Sequence, residues 1–191
     1  FPGSMTLRPE TVLDTMRDIF RSLQQHGLNN WLITNFHSGN EGIISVAVQA
    51  IGAELKPDFF GSVSLALLEP DDIEAQVRKT PIVGHACEVE TAELMYVRPD
   101  LVRSEDVAAG DLLHEHIDRR RRFFGSGVRL SWSFAEGTRN GALGDSRYAS
   151  YEGGQNLVEG MMDEFMDILN QIIEHWLDRP EPVSPGGKSA R

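Results

Sequence analysis

Residues Trp31–Ile51 read WLITNFHSGNEGIISVAVQAI. An apolar run, Trp31–Thr34, ends in the polar group Asn35-Phe36-His37-Ser38-Gly39-Asn40, and a second apolar run follows at once. The first run has no helical period and reads as a buried strand. The second carries Ile43, Ile44, Val46, Ala47, Ala50 and Ile51 and reads as a helix over about 41–54, with Asn40 expected to cap it. A strand, a short polar turn and a helix form the repeating unit of an α/β fold. In such folds ligands bind at the carboxyl ends of the strands, where His37 stands. Gly39 is expected to let the backbone turn tightly. His37 is then either a hydrogen-bonded loop residue or an imidazole presented to a crevice.

The neighbouring segments extend the pattern. Residues 9–25 read as a helix with Val12, Met16, Ile19, Phe20 and Leu23 on one face, Pro9 in the first turn and Gly27 as the stop. Phe59–Leu68 reads as a strand, Asp71–Lys79 as a short helix, and Glu88–Arg98 as a helix ended by Pro99. Arg129–Phe134 alternates and reads as a strand. Residues 135–154 contain five glycines and read as a loop. The strongest helical period runs over about 155–177, from Leu157 to Trp176, with methionines as core filler. The fold class expected is α/β, with a largely parallel sheet between helices. Residues 1–178 are expected to form the domain and 179–191, rich in Pro, Gly and Ser, a flexible tail.

The 191 residues carry a net charge of −11, and this acidity disfavours non-specific nucleic-acid or anionic-membrane binding. The basic run Arg119–Arg122 reads as a solvated helix face, a subunit contact or an anion site. A lone cysteine, Cys87, excludes an intrachain disulfide. No apolar stretch reaches the ~18 residues of a membrane span, and no secretory signal pattern is read. The expected location is the cytoplasm.

Two further clusters could carry chemistry. In Gly84-His85-Ala86-Cys87-Glu88-Val89-Glu90-Thr91-Ala92, His85 and Glu90 stand at a loop-to-helix start and could reach a common point. A histidine with carboxylates suits zinc, manganese or iron, and His85 equally suits acid–base work near neutral pH. Cys87 reads as a small buried thiol in preference to a nucleophile. Gly144-Asp145-Ser146-Arg147, followed by Ser150 and Glu152, reads as a polar turn before the last helix. His26, His114, His116 and His175 read as helix-end or surface residues.

Together these clusters resemble the creatininase (creatinine amidohydrolase) family. NFHSGN is similar to the family's Asn-Gly-His-Gly-Gly-Asn motif. GHACEVETAELMYVRPDLV resembles its His-Ala-Gly-x-x-Glu-Thr-Ser stretch with the following Arg-Pro-Glu-Leu-Val. GALGDSRYASYEGG resembles its Gly-Asp-Pro-Arg-x-Ala-x-x-x-Gly loop, and FPGSMTLRPET its entry into the first long helix. Four motifs keep their order over about residues 1–177.

The resemblance implies a three-layer α/β/α sandwich, a dinuclear divalent-metal centre and hydrolysis of a cyclic amide or related C–N bond by metal-activated water. It makes His37 a metal ligand, His85 a substrate-contacting proton carrier, and Glu90 a catalytic residue at or just behind the metals, itself counted as a ligand. It places Phe36, Ser38, Trp132, Asp145 and Arg147 around a small-molecule substrate, with Tyr148 nearby. It implies a homo-oligomer, often a hexamer in the family. Several positions depart from the family pattern. Phe36 replaces a glycine, Gly39 stands where creatinine-cleaving members carry a metal-binding glutamate, and Gly84 stands where they carry a carboxylate. Cys87 and Ala92 replace Gly and Ser. The family's Glu-x-His and bridging Asp, with the first strand of its sheet, would precede Phe1. They are expected from a missing N-terminal segment or from a second chain. The alternative is a degenerate, non-catalytic subunit that acts as an interaction scaffold.

Overall fold

The computed structural model describes residues 1, 3–68, 70–81, 84–113 and 133–177. Trp132, His114, His116, the Arg119–Arg122 run, residues 129–132 of the expected strand and the expected tail lie outside the described residues. The chain divides into two compact units, one of Phe1–Thr6 with Leu67–Asp163, the other of Leu7–Ala66 with the described part of Glu164–Arg191.

The second unit is built on helix α1 (Pro9–Gln25), strand β1 (Asn30–Asn35), helix α2 (Glu41–Leu55) and strand β2 (Phe59–Ser64). β1 and β2 pair in parallel, from Asn30 opposite Phe59 to Asn35 opposite Ser64. A parallel pair needs a crossover between its strands, and α2 supplies it. The fold class is therefore α/β. β2 is shorter than expected, because Leu65–Leu67 tightens into a 3₁₀ turn. Its core gathers Phe20, Trp31, Ala47 and Ile51, with Leu13, Met16, Leu23 and Phe60 against them. The rings of Phe20, Trp31 and Phe60 lie 4.6–5.4 Å apart, a spacing at which edge and offset aromatic contacts are favourable. The buried seam of α1 thus runs Leu13-Met16-Phe20-Leu23, and the expected Ile19 is exposed. Ile19 is one residue, about 100° of helix, from Phe20 and cannot share its direction.

Gly27 ends α1 as expected. Its φ is +78°, its N–H donates to Gln24 O, and Leu28 N–H donates to Leu23 O. This is the Schellman arrangement that glycine permits. The expected cap of α2 is not made. Asn40 has helical backbone angles and no side-chain capping bond, because the 3₁₀ turn Ser38–Asn40 runs straight into the helix.

The first unit contains α3 (Asp71–Val77), α4 (Glu88–Val97), the helical turn α5 (Phe134–Gly137) and most of α6 (Tyr151–Ile172). Beyond α6 a π-helical turn, Ile173–Leu177, belongs to the second unit. Val77, Cys87, Val89, Ala92 and Leu157 form the core of the first unit. α6 begins four residues before the expected 155, and Gly153 and Gly154 lie inside it. A Cβ built on Gly154 would stand 1.8 Å from the carbonyl oxygen of Ala92. The glycine that reads as loop is the point where α6 meets α4 backbone to backbone. Phe134, expected to end a strand, opens α5 instead. At the N-terminal end of α5 the Ser133 side chain accepts from Glu136 N–H and the Glu136 carboxylate accepts from Ser133 N–H, a capping box. No helix among the described residues is long and apolar enough to cross a membrane.

Gly154→Ala should destabilise the protein by about 2 kcal/mol or more, the cost of overpacking at backbone contact. Chemical denaturation checks this, and a change below about 0.5 kcal/mol would contradict the close approach.

Candidate functional site

At the shared carboxyl end of β1 and β2, Asn35 is buried with 4% exposure. Its amide Nδ2 donates to His37 O at 2.9 Å and to Glu41 Oε1 at 2.5 Å. Its Oδ1 accepts from His37 N–H at 3.2 Å, the turn that asparagine side chains favour. Asn40 Nδ2 approaches the same oxygen at 3.5 Å. Ser64, opposite Asn35 in the sheet, donates its hydroxyl to Glu41 Oε1.

His37 has extended backbone angles and an exposed side chain. Its imidazole makes no hydrogen bond among the described residues and lies over Gly39. A Cβ on Gly39 would meet His37 Nε2 at 2.7 Å. Gly39 does not adopt a left-handed φ. It lies in the tight 3₁₀ turn Ser38–Asn40, as expected of a turn residue, and its missing side chain leaves room for the exposed ring. Phe36, 67% exposed, and Ser38, also exposed, flank His37.

In the other unit, the start of α4 carries the second cluster. Ala86 takes φ +50°, and its N–H donates to Glu90 Oε2 at 2.6 Å. Glu90 thus reaches back one turn and braces the residue beside His85. His85 stacks on Phe134 with ring centroids 4.5 Å apart, and its carbonyl accepts from Leu143 N–H at 2.7 Å. Cys87 is fully buried, and burial pushes its thiol pKa up, so it stays protonated at neutral pH.

Glu88 is the buried charge of this unit, at 0% exposure. Its Oε1 accepts from Lys79 N–H at 3.0 Å, Thr80 N–H at 2.8 Å and the Thr80 hydroxyl at 2.7 Å. Its Oε2 accepts from Asp145 N–H at 2.9 Å. Burial raises the carboxyl pKa, but the donors from Asp145 and Thr80 outweigh it and hold it below the usual range. Asp145 is in turn clasped by Arg147 through Nε at 2.8 Å, Nη2 at 2.5 Å and the backbone N–H at 3.1 Å. The Arg147 guanidinium holds the Asp145 carboxyl below its ordinary value.

The expected site residues therefore fall into two groups. Phe36, His37 and Ser38 belong to one unit, and His85, Glu90, Asp145 and Arg147 to the other. Within the second group, Glu88 links the α4 start to the Asp145–Arg147 turn. Sequence reasoning gave no role to Asn35, Glu41, Ser64, Glu88 or Phe134. The Ser-x-x-Glu signature over 133–136 announced the turn that carries Phe134, whereas nothing local distinguishes Glu88 from Glu90.

The family model for creatininase, described as creatinine amidohydrolase, matches residues 1–169. The chain belongs to the creatininase family. No curated protein sequence matches it. Among solved structures, a protein described as a creatinine amidohydrolase from Bacteroides fragilis NCTC 9343 superposes with a TM-score of 0.79 at 19% identity, over 94% of this chain and 68% of that one. A Glu→Gln creatininase variant of Zn–Zn type gives 0.72 at 23%, over 92% and 67%. The same kind of variant complexed with creatine gives 0.71 at 23%, over 90% and 68%. These likenesses establish a creatininase-like α/β fold.

A two-metal centre does not fit the described residues taken alone. Among them no group of three or more His, Cys, Asp or Glu side chains is placed to hold a metal ion. Glu88 is occupied by four donors, Asp145 by Arg147, and one Glu90 oxygen by Ala86. The His37 imidazole is the exposed donor that remains at a strand end.

Glu88→Gln should cost about 1–3 kcal/mol at pH 7, because its amide would turn an N–H₂ toward one of the donors. The depressed pKa sets the sign of the pH dependence. The stabilisation is present above the ordinary value of 4.5 and is lost as pH falls through the lower folded-state value. Urea melts of both proteins from pH 7 to pH 3 should show the difference shrinking in acid, and a constant difference would refute it.

Proposed function

We propose that this chain is the larger part of a creatininase-type amidohydrolase that cleaves a cyclic amide or related C–N bond of a small molecule. The observation that carries this reading is the exposed His37 imidazole, without a hydrogen bond among the described residues, at the carboxyl end of a parallel strand pair in a chain of this family. His37 is the metal ligand that the described residues contribute. The remaining ligands would come from a segment or partner chain outside them; the family resemblance also assigns Glu90 to the metals. A divalent ion such as zinc, manganese or iron, when bound, polarises a carbonyl and lowers the pKa of water to about 7.

The chain's own groups take simpler roles. His85, half-buried and backed by Phe134, carries a proton to or from the substrate. Glu90 also holds the turn from which His85 projects. The family resemblance assigns Phe36, Ser38, Trp132, Asp145 and Arg147 to the substrate. The absence of a carboxylate at Gly39 argues for a substrate other than creatinine. Residues 1–178 act as one creatininase-like domain in a cytoplasmic homo-oligomer of ring type, the family's hexamer being the model.

A second reading, a non-catalytic scaffold of the same fold, is favoured by one observation. No three-donor cluster exists among the described residues. The two readings separate on the assembly isolated from its source. Metal analysis should find about two divalent ions per chain, lost on chelation together with amide hydrolysis. His37→Ala should lower kcat/KM at least ~100-fold, more than the loss of a residue behind a ligand. A metal-free assembly with no hydrolytic turnover would establish the scaffold.

A further inference from the structure

We infer that Asn35, Glu41 and Ser64 form a clamp that presets His37, with Glu41 as its key positioning residue. The role of the clamp in catalysis rests on the hydrolase reading above; its geometry does not.

The argument begins with the chemistry of the carboxamide. Asn35 pairs both of its edges with one residue. Its Oδ1 takes the N–H of His37 and its Nδ2 gives a hydrogen to the His37 carbonyl. This two-point grip fixes the peptide on both sides of the His37 Cα, and so the direction in which the imidazole leaves the chain. A carboxamide can rotate by half a turn and exchange its oxygen for its nitrogen. Here that exchange would set N–H against N–H at His37. Glu41 prevents it. An ionised carboxylate only accepts, so the edge of Asn35 facing Glu41 must be the nitrogen. Both hydrogens of Nδ2 are then used, one on His37 and one on Glu41.

Ser64 completes the chain of bonds. Its hydroxyl donates to the same Glu41 oxygen, so the carboxylate is held from β2 as well as from β1. Asn35 and Ser64 are sheet partners, which places the clamp on the final rung of the parallel pair. Glu41 opens α2, where a negative charge is also favoured by the helix dipole. The polar group at the strand end is thus ordered from strand to strand to helix. Gly39 leaves the space into which the preset ring projects.

Glu41→Gln keeps an acceptor oxygen for Asn35 and Ser64, whereas Glu41→Leu removes it at similar size. Backbone amide exchange of the native protein, followed by NMR without added metal, separates positioning from general destabilisation. Glu41→Leu should speed exchange of the His37 N–H about five- to tenfold, the effect of one lost hydrogen bond. Ala47 and Ile51 in α2 should stay within about twofold, and Glu41→Gln should restore His37 to within about twofold of the parent. If Glu41→Leu does not fold, Ser64→Ala provides the same comparison with a smaller expected change of about threefold. Unchanged exchange at His37, or an equal rise at His37, Ala47 and Ile51, would overturn the clamp. Selective acceleration at His37 in an assembly that hydrolyses no amide would uphold the clamp and remove the hydrolase reading instead.

Discussion

A carboxylate with no exposure to water has to be surrounded by donors, and Glu88 imposes that condition on the first unit. Removing an ion from solvent is costly unless its lone pairs are filled. Four hydrogen bonds fill them, from Lys79, Thr80 and Asp145. Two segments, Lys79–Thr80 and the turn at Asp145, are thereby drawn to the first turn of α4. Glu90 lies on that turn and His85 just before it, and the Asp145 loop carries Arg147. The candidate chemistry of this unit is therefore held by a residue with no chemical role of its own.

The second unit solves a similar problem at lower charge. Its apolar aromatic cluster of Phe20, Trp31 and Phe60 fixes the body of the sheet. Its polar end is fixed by the Asn35 carboxamide. In both units a buried polar group orders a segment at the end of a regular element, and a candidate functional side chain stands beside it. A buried network of this kind leaves few alternative arrangements, because each unmade bond would strand a donor or acceptor away from water.

Close approach is the other shared device. Gly154 admits the Ala92 carbonyl, Gly39 admits the His37 ring, and Gly110 lies where a Cβ would meet Ala142 O at 2.5 Å. Glycine reads from sequence as flexibility or turning. At Gly154 the backbone is not left-handed, and the missing side chain serves a backbone-to-backbone contact. This distinction explains the late start expected for α6.

Much of the fold was legible. Apolar patterning located α1, β1, α2 and most of α6, because a period of 3.6 or an unbroken short run follows directly from which face is buried. Pro9 and Gly27 marked the ends of α1 through their own backbone preferences. Motif order led to the family, and with it to His37 and His85. What the sequence by itself determined is thus the order of elements and the chemical types at their ends. Tertiary structure decided which of Glu88 and Glu90 is buried, that Asn40 leaves its helix uncapped, and that Glu41 and Ser64 meet at Asn35. Those outcomes depend on contacts between residues as far apart as Glu88 and Asp145. A local pattern holds no information about the free energy of burying one carboxylate among donors supplied by the rest of the chain.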